Sequence, residues 1–308
     1  MNLFETNNLL FPPAYSVIKV GITQSALSTW KTCRRKFLYW VNRWDRIEPE
    51  KWAYHTMMHS MLETFYKTKS SEKVLKALGV YKLPGNPKET EELKGTAEAM
   101  LQCYMNYYKG DLGRFKFEKV EGLFSVYFQG YKLLGKKDGV FIDGKLRWNM
   151  EHKNYSRIND DYLSKHLWFD LQNLFYILAE RIESGVSVTG TLYNILRKPE
   201  TRKERSTNEL YTHIVKEIQK DPKHYFIRYE IPYSIEEIGQ FENELVVSLR
   251  ELSWVINTCT VAPKETLSYC YKNESACDGK FQCPFLDACS SGTMQGYKQR
   301  KLLFPELI

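Results

Sequence analysis

The sequence predicts an α/β fold: a mixed central sheet flanked by helices, in a single domain over residues 1–308 with its core at about 117–196. Three observations lead there. Gly135 to Lys153 read as a β-hairpin, in which the β-branched and aromatic Val140, Phe141 and Ile142 run into a favoured Asp143-Gly144 turn and Leu146 to Lys153 return. Strand-like runs at Phe117–Phe128 and Val186–Leu196 lie on either side of it, the second after a segment of helical period. Helical periodicity also fills much of the chain before and after this core.

Composition sets the bounds. The 308 residues are 43% hydrophobic and 26% charged, an ordinary globular balance able to bury a substantial core. A formal net charge of +7 permits nucleic-acid binding without establishing it. No run approaches the ~20 apolar residues of a membrane span. The opening MNLFETNNLLFPPAY lacks the basic and apolar regions of a signal peptide. The expectation is a cytoplasmic protein, whose seven cysteines are thiols or metal ligands rather than disulfides.

Taken in order, Pro12-Pro13 keep residues 1–20 irregular. Thr23 caps a helix through Trp44, with Leu27, Trp30, Phe37, Leu38 and Val41 at helical spacing and Cys33 on the same stripe. A helix from Trp52 to Lys67 turns Met57, Met58, Met61, Leu62 and Phe65 inward and lines His55, His59 and Glu63 along one face. Lys82–Pro87 is a loop. Lys88–Tyr108 is a helix, with Cys103 a core thiol among Leu101, Tyr104 and Tyr107. In the returning hairpin strand Leu146, Trp148 and Met150 share one face, and Arg147, Asn149, Glu151 and Lys153 the other. Asp138 has the parity of Val140 and Ile142. Asp160 or Asp161 caps one helix bearing Leu163, Leu167, Leu171, Leu174, Phe175 and Leu178, closed by Gly185, on which Gln172 and Tyr176 point the same way. Arg197, Lys198, Arg202, Lys203 and Arg205 then alternate with glutamates, as a solvated loop or a binding patch. Residues 209–220 read as helix and Tyr225–Tyr233 as extended. Ser234 with Glu237 forms a capping box for a helix reaching Asn257.

A hairpin register that sets Asp138 beside Glu151 converges two carboxylates and the Lys153 ammonium at one end of the sheet. Carboxylates that close repel unless a cation lies between them, and oxygen ligands suit Mg²⁺ or Mn²⁺. Asp followed by Glu-x-Lys on the next strand resembles the metal site of the PD-(D/E)XK nuclease superfamily. Gln172-Asn-Leu-Phe-Tyr176 is similar to the QxxxY helix of its RecB-like branch, which includes phage-encoded exonucleases. Cys33-Arg-Arg-Lys-Phe37, the helical His59 and a C-terminal cysteine cluster stand in that branch's order. The resemblance implies a restriction-endonuclease-like core and a DNA nuclease. Its catalytic residues would be Asp138, Glu151, Lys153, Gln172 and Tyr176, and its Mg²⁺ or Mn²⁺ ligands His59, Asp138, Glu151 and the peptide carbonyl of His152. Glu121 stands where some members have an extra acid. His55 stands where the family tends to have Gly, and Arg34 replaces the Pro of its CPRKF segment. No GxxxxGK[ST] loop occurs, so a helicase or recombination partner would be a separate chain. An idle DNA-binding subunit of the same fold, or a metal-stapled scaffold, is the alternative.

Residues 258–308 form a cysteine-rich tail, with Cys270, Cys277, Cys283 and Cys289 inside twenty residues. Thiolates so close select zinc or iron–sulfur. The resemblance implies a [4Fe–4S] cluster on Cys33, Cys277, Cys283 and Cys289, joining the N- and C-terminal segments. The last pair has the family's Cx5C spacing, but Cys277 and Cys283 depart from its usual Cx2C. A local Zn²⁺ site using Cys270 stays open beside it.

Overall fold

The computed structural model describes residues 9–46, 53–156, 158, 160–199, 207–277 and 282–307. The chain enters through β1 (Ile22–Thr23), then α1 (Gln24–Thr32), α2 (Arg34–Val41) and β2 (Trp44–Arg46). Helices α3 (Ala53–Thr68), α4 (Ser71–Val80), α5 (Pro87–Tyr107) and the short α6 (Asp111–Arg114) lead to the strands β3 (Phe115–Phe128), β4 (Tyr131–Asp143) and β5 (Leu146–Tyr155). Helices α7 (Asp160–Trp168) and α8 (Leu171–Ser184) cross over to β6 (Gly190–Arg197). Then come α9 (Thr207–Lys220), α10 (Pro222–Tyr225), β7 (Phe226–Pro232), α11 (Ile235–Val261), α12 (Thr266–Tyr269), α13 (Leu286–Ser291) and β8 (Tyr297–Gln299).

The main sheet runs β1-β4-β5-β6-β7, with β3 on the other edge of β4. It is mixed: β3–β4, β4–β5 and β6–β7 pair antiparallel, and β1–β4 and β5–β6 parallel. The parallel β5–β6 pair needs a crossover, and α7 with α8 supplies it. Apolar residues of α3, α4, α5 and α9 cover one face, packed on Phe141, Trp148, Met150 and Leu192. The other face carries α1, α2, α8 and α11, packed on Phe124, Val126 and Leu133. Phe175 and Leu178 of α8 are wholly buried there, each contributing about 1.5–3 kcal/mol by leaving water.

The expected mixed α/β architecture is observed, with differences at boundaries. The sheet reaches from residue 22 to 232, beyond the 117–196 core, because β1 and β7 add to its edges. The first predicted helix breaks at Cys33, whose backbone is extended (φ −161°, ψ 119°), and Trp44 belongs to a strand. Thr23 does cap α1, through Ala26 N–H at 3.3 Å. The hairpin turn lies one residue later than expected. Asp143 pairs with Leu146, so Gly144-Lys145 is the loop and Gly144 takes φ +61° at its first position, as a primed two-residue turn requires. The helix expected over 160–185 is two, since Asp170 caps a new one through Gln172 N–H at 3.0 Å; Gly185 closes it as expected. The side chains of Asp160 and Asp161 are outside the described residues. Strand β6 starts at Gly190, not Val186, and Tyr107 is exposed rather than core. The capping box of Ser234 and Glu237 is formed, and its helix extends to Val261.

The chain's two ends meet. β2 pairs antiparallel with β8, Trp44 opposite Gln299. Arg35 donates to the carbonyls of Cys270 and Leu267, both at 2.8 Å. Phe285 stacks between Tyr39 and Tyr297. Phe281 lies outside the described residues.

Candidate active site

Strands β3 and β4 exchange faces in mid-course. Val120 and Phe141 pack with α3 and α5, yet Phe124 and Lys137 face α8. In a regular strand, residues four apart face the same way, so the alternation inverts between Lys137 and Gly139 and again opposite, between Val120 and Phe124. The pairs Val120–Gly139 and Gly122–Lys137 bracket the inversion and leave Glu121 opposite Asp138. Glu121 adopts φ +54° there. Such irregularities re-aim side chains, and this one turns two acids out of the layer pattern. The parity that grouped Asp138 with Val140 and Ile142 therefore does not extend through residue 138.

On the other side of Asp138, the pairing of Gly139 with Met150 carries the register to Glu151. Three neighbouring strands thus set Glu121, Asp138 and Glu151 in a row. Asp138 Oδ2 accepts the His152 N–H at 2.7 Å and lies 3.5 Å from His59 Nδ1, presented by α3. Ligand atoms of His59, Glu121 and Asp138 all fall within 4.8 Å of one another. Among the described residues, no other group of three histidine, cysteine or acidic side chains is so close.

Gln172 binds both members of the Glu-x-Lys strand. Its Oε1 accepts from Lys153 Nζ at 2.7 Å, and its Nε2 donates to Glu151 Oε1 at 2.6 Å. Lys153 Nζ is 3.0 Å from Glu151 Oε1 and 3.8 Å from Asp170 Oδ2. Tyr176, one turn on, packs edge-on against Phe124 over Gly135. A Cβ at Gly135 would come within 2.4 Å of the Phe124 ring and 3.1 Å of Tyr176, so only glycine lets α8 seat here.

The electrostatics are those of carboxylates crowded without enough positive charge. Burial raises the Asp138 pKa, but His59 and the His152 N–H outweigh it and hold this carboxyl well below the usual range. Burial and the Asp138 charge push Glu151 up to about 8, against Lys153. The same two causes raise Glu121, against Lys136. Burial works to lower both His59 and Lys153, yet Asp138 raises the first and Glu151 with Asp170 the second, so both stay above their ordinary values. A divalent cation among these oxygens would relieve the repulsion.

All the residues predicted for the metal and catalytic site are thereby brought together, with one distinction. The His152 side chain faces the opposite layer, stacked on Tyr66 and bonded to Asn194 at 2.9 Å; burial lowers its pKa to about 3. Its backbone N–H is the group that bonds Asp138. His55 is one turn before His59, half-buried, its pKa lowered by burial and by His59. Asp170 was missed as a site residue; an Asp two places before Gln172, in capping position, was its signal. Of the basic run, Arg202, Lys203 and Arg205 lie outside the described residues, and Lys198 sits 4.4 Å over the Tyr54 ring.

The sequence model of the PD-(D/E)XK nuclease superfamily matches residues 21–290. The chain belongs to this superfamily. No curated protein matches it. Asp138 lies on β4, and Glu151 and Lys153 lie on β5. No described helix is long and apolar enough to cross a membrane.

Apart from Cys103, buried in the core with α3 and α5, the cysteines divide into two sets. Cys33, at the α1–α2 junction, and Cys283 both bear electrostatically on Cys289, whose thiol is raised by burial and by these two neighbours, against Lys272 and Arg35. Cys283 N–H donates to Cys277 O at 3.1 Å. Asn273 donates to the Thr32 carbonyl at 2.8 Å, fastening the tail beside Cys33. Cys270 instead turns into the core beside Cys259, and burial pushes its thiol up to about 12.

Proposed function

We propose that this chain is a divalent-metal-dependent deoxyribonuclease, and an exonuclease by its resemblance to RecB-like phage enzymes. The observation that carries the reading is the Glu151–Lys153–Gln172 triangle beside Asp138, Glu121 and His59. Residues Asp138, Glu151, Glu121 and His59, with the His152 carbonyl, would hold Mg²⁺ or Mn²⁺. When bound, such an ion supplies Lewis acidity at the phosphate oxygens and acidifies water.

The chain's own groups do the rest. Lys153, kept charged by Glu151 and Asp170, offers an ammonium to the charge that builds on the scissile phosphate. Gln172 fixes that ammonium and the Glu151 carboxylate in one orientation, and Tyr176 with Gly135 fixes α8 against β4. Such fixed placement reduces what must reorganise during reaction. The His152 N–H holds Asp138 to its neighbour strand.

Cys33, Cys277, Cys283 and Cys289 would hold a structural [4Fe–4S] cluster that fastens the tail to the α1–α2 junction. Lys272 and Arg35 beside Cys289 suit a thiolate-rich, negatively charged group. The test of the nuclease reading is degradation of linear and covalently closed circular DNA with Mg²⁺, with Mn²⁺ and with chelator. Loss of linear DNA alone, only with metal, is the outcome expected of an exonuclease. DNA retention without cleavage in any metal would instead favour the idle binding subunit.

A further inference from the structure

We propose that Phe169 is a nucleobase-stacking residue at the mouth of the candidate site, taking an unpaired base of the strand presented for cleavage. This rests on the nuclease reading and adds to it the state of the DNA that the site accepts.

Phe169 stands at the joint between α7 and α8, and its surface is 85% exposed. The joint itself is held firmly. Asp170 N–H and Asn173 Nδ2 both donate to the Leu167 carbonyl, at 3.2 and 3.1 Å. Tyr233 Oη donates to the Trp168 carbonyl at 2.9 Å, and Trp168 Nε1 to Glu237 at 3.1 Å. A backbone anchored on both sides thus carries a bare aromatic ring. Apolar side chains left singly in water need no explanation; the position of this one does. The next residue, Asp170, caps α8 ahead of Gln172, accepts from Tyr193 Oη at 2.8 Å and approaches Lys153 to 3.8 Å. Consecutive Cα atoms are ~3.8 Å apart, so the ring is rooted one residue from a carboxylate that touches the candidate catalytic lysine. Tyr162, stacked on His166, adds a second exposed ring on α7.

The chemistry selects the occupant. Any phosphodiester held at the acids is flanked by its own bases, and every base has a π-face that stacks on an aromatic side chain. Inside a duplex both faces of each base are already covered, so a free face belongs to a single strand or a frayed end. A net charge of +7 favours a polyanion over an apolar protein surface.

The experiment uses the full chain and a short oligonucleotide with 2-aminopurine near one end, in Ca²⁺, read by fluorescence quenching and affinity. Phe169→Ala should bind the single strand about tenfold more weakly, one ~1.4 kcal/mol step and within the range of one stacked base. Phe169→Trp should bind like the wild type and quench as strongly. Replacing the contacted nucleotide by an abasic residue should make wild type and Phe169→Ala equal. Equal affinities of wild type and Phe169→Ala for the intact strand would overturn the proposal. So would an equal loss on abasic DNA, or lost self-association of Phe169→Ala with DNA binding unchanged. Wild-type cleavage in Mg²⁺ is scored separately. Cleavage with no Phe169 effect sinks stacking alone; a Phe169 effect without cleavage sinks the nuclease reading alone.

Discussion

Removing the Glu180 carboxylate should unfasten the helix that carries Gln172. Glu180 lies on α8 two turns beyond Gln172, with its side chain 0% exposed, on the stripe that also carries Tyr176. It bonds Lys137, whose side chain is 1% exposed, and Arg147 Nη2 at 2.6 Å, and it lies 3.3 Å from Lys119. Three cations from β3, β4 and β5 thus converge on one acid of α8. Glu180→Ala strands Lys137 in the interior, with only Glu183 at 3.0 Å. Breaking a buried pair from one side costs about 3–5 kcal/mol. With ~2.1 cal/mol/K of unfolding entropy per residue, a 308-residue chain should lose about 5–8 °C of Tm. The double variant Lys137→Met with Glu180→Leu should recover most of that loss, because no buried charge is left alone. Denaturant and thermal unfolding measure both. The sign of the pH effect follows from the carboxyl. Burial works to raise it, but Lys137 and Arg147 bring it from 4.5 down to about 2. Its contribution is present above 4.5 and lost as pH falls towards 2, an amount of about 3 kcal/mol. Glu180→Gln should flatten acid unfolding in that window. A Glu180→Ala variant no less stable than the exposed Glu236→Ala, which should stay within about 0.5 kcal/mol of wild type, would refute the reasoning.

Asp138→Ala, Glu151→Ala and Lys153→Ala should each nearly abolish metal-dependent cleavage while circular dichroism stays native; full cleavage by a Glu151→Ala, Lys153→Ala double variant would end the assignment. Glu121→Gln should raise the Mg²⁺ concentration needed for half-maximal activity, read from a metal titration, with the metal-saturated rate little changed. Anaerobically purified protein should be brown, with iron and sulfide in near-equal amounts, and Cys33→Ala should lose both colour and thermal stability. Cys270→Ala should keep the iron and lose only core stability, and colourless protein holding one zinc that departs with Cys270→Ala would reverse that assignment.

Local chemistry was legible along the chain because it repeats at short range. The Thr23 cap, the Ser234–Glu237 box, the period of α3, α5 and α8, and the strand character of β3 to β5 each depend on neighbours within a few residues. The nearness of Asp138 to Glu151 and Lys153 was legible for a related reason: a short hairpin's register brings residues on either side of its turn together. Breaks inside long periodic runs were less legible. Apolar spacing continues through Cys33 and through Phe169-Asp170, and there the tail's docking and the Asp170 cap end one helix and start another.

The sequence by itself therefore determined the kinds of element, the acidic hairpin and the presence of a thiol-rich tail. Tertiary structure alone decided how Glu121 and His59 reach those acids. Glu121 reaches Asp138 only because β3 and β4 exchange faces where the two residues oppose each other, which no alternation rule anticipates. His59 arrives from a helix nearly eighty residues away from Asp138 in sequence. The sorting of the cysteines was equally hidden, since Cys270 and Cys277 are close in sequence but point to different surroundings. Cys270 is wholly buried beside Cys259, while Cys277 is half-buried and its carbonyl accepts the Cys283 N–H. Proximity across the fold depends on packing between distant segments, and the amino-acid order records that only through the completed structure.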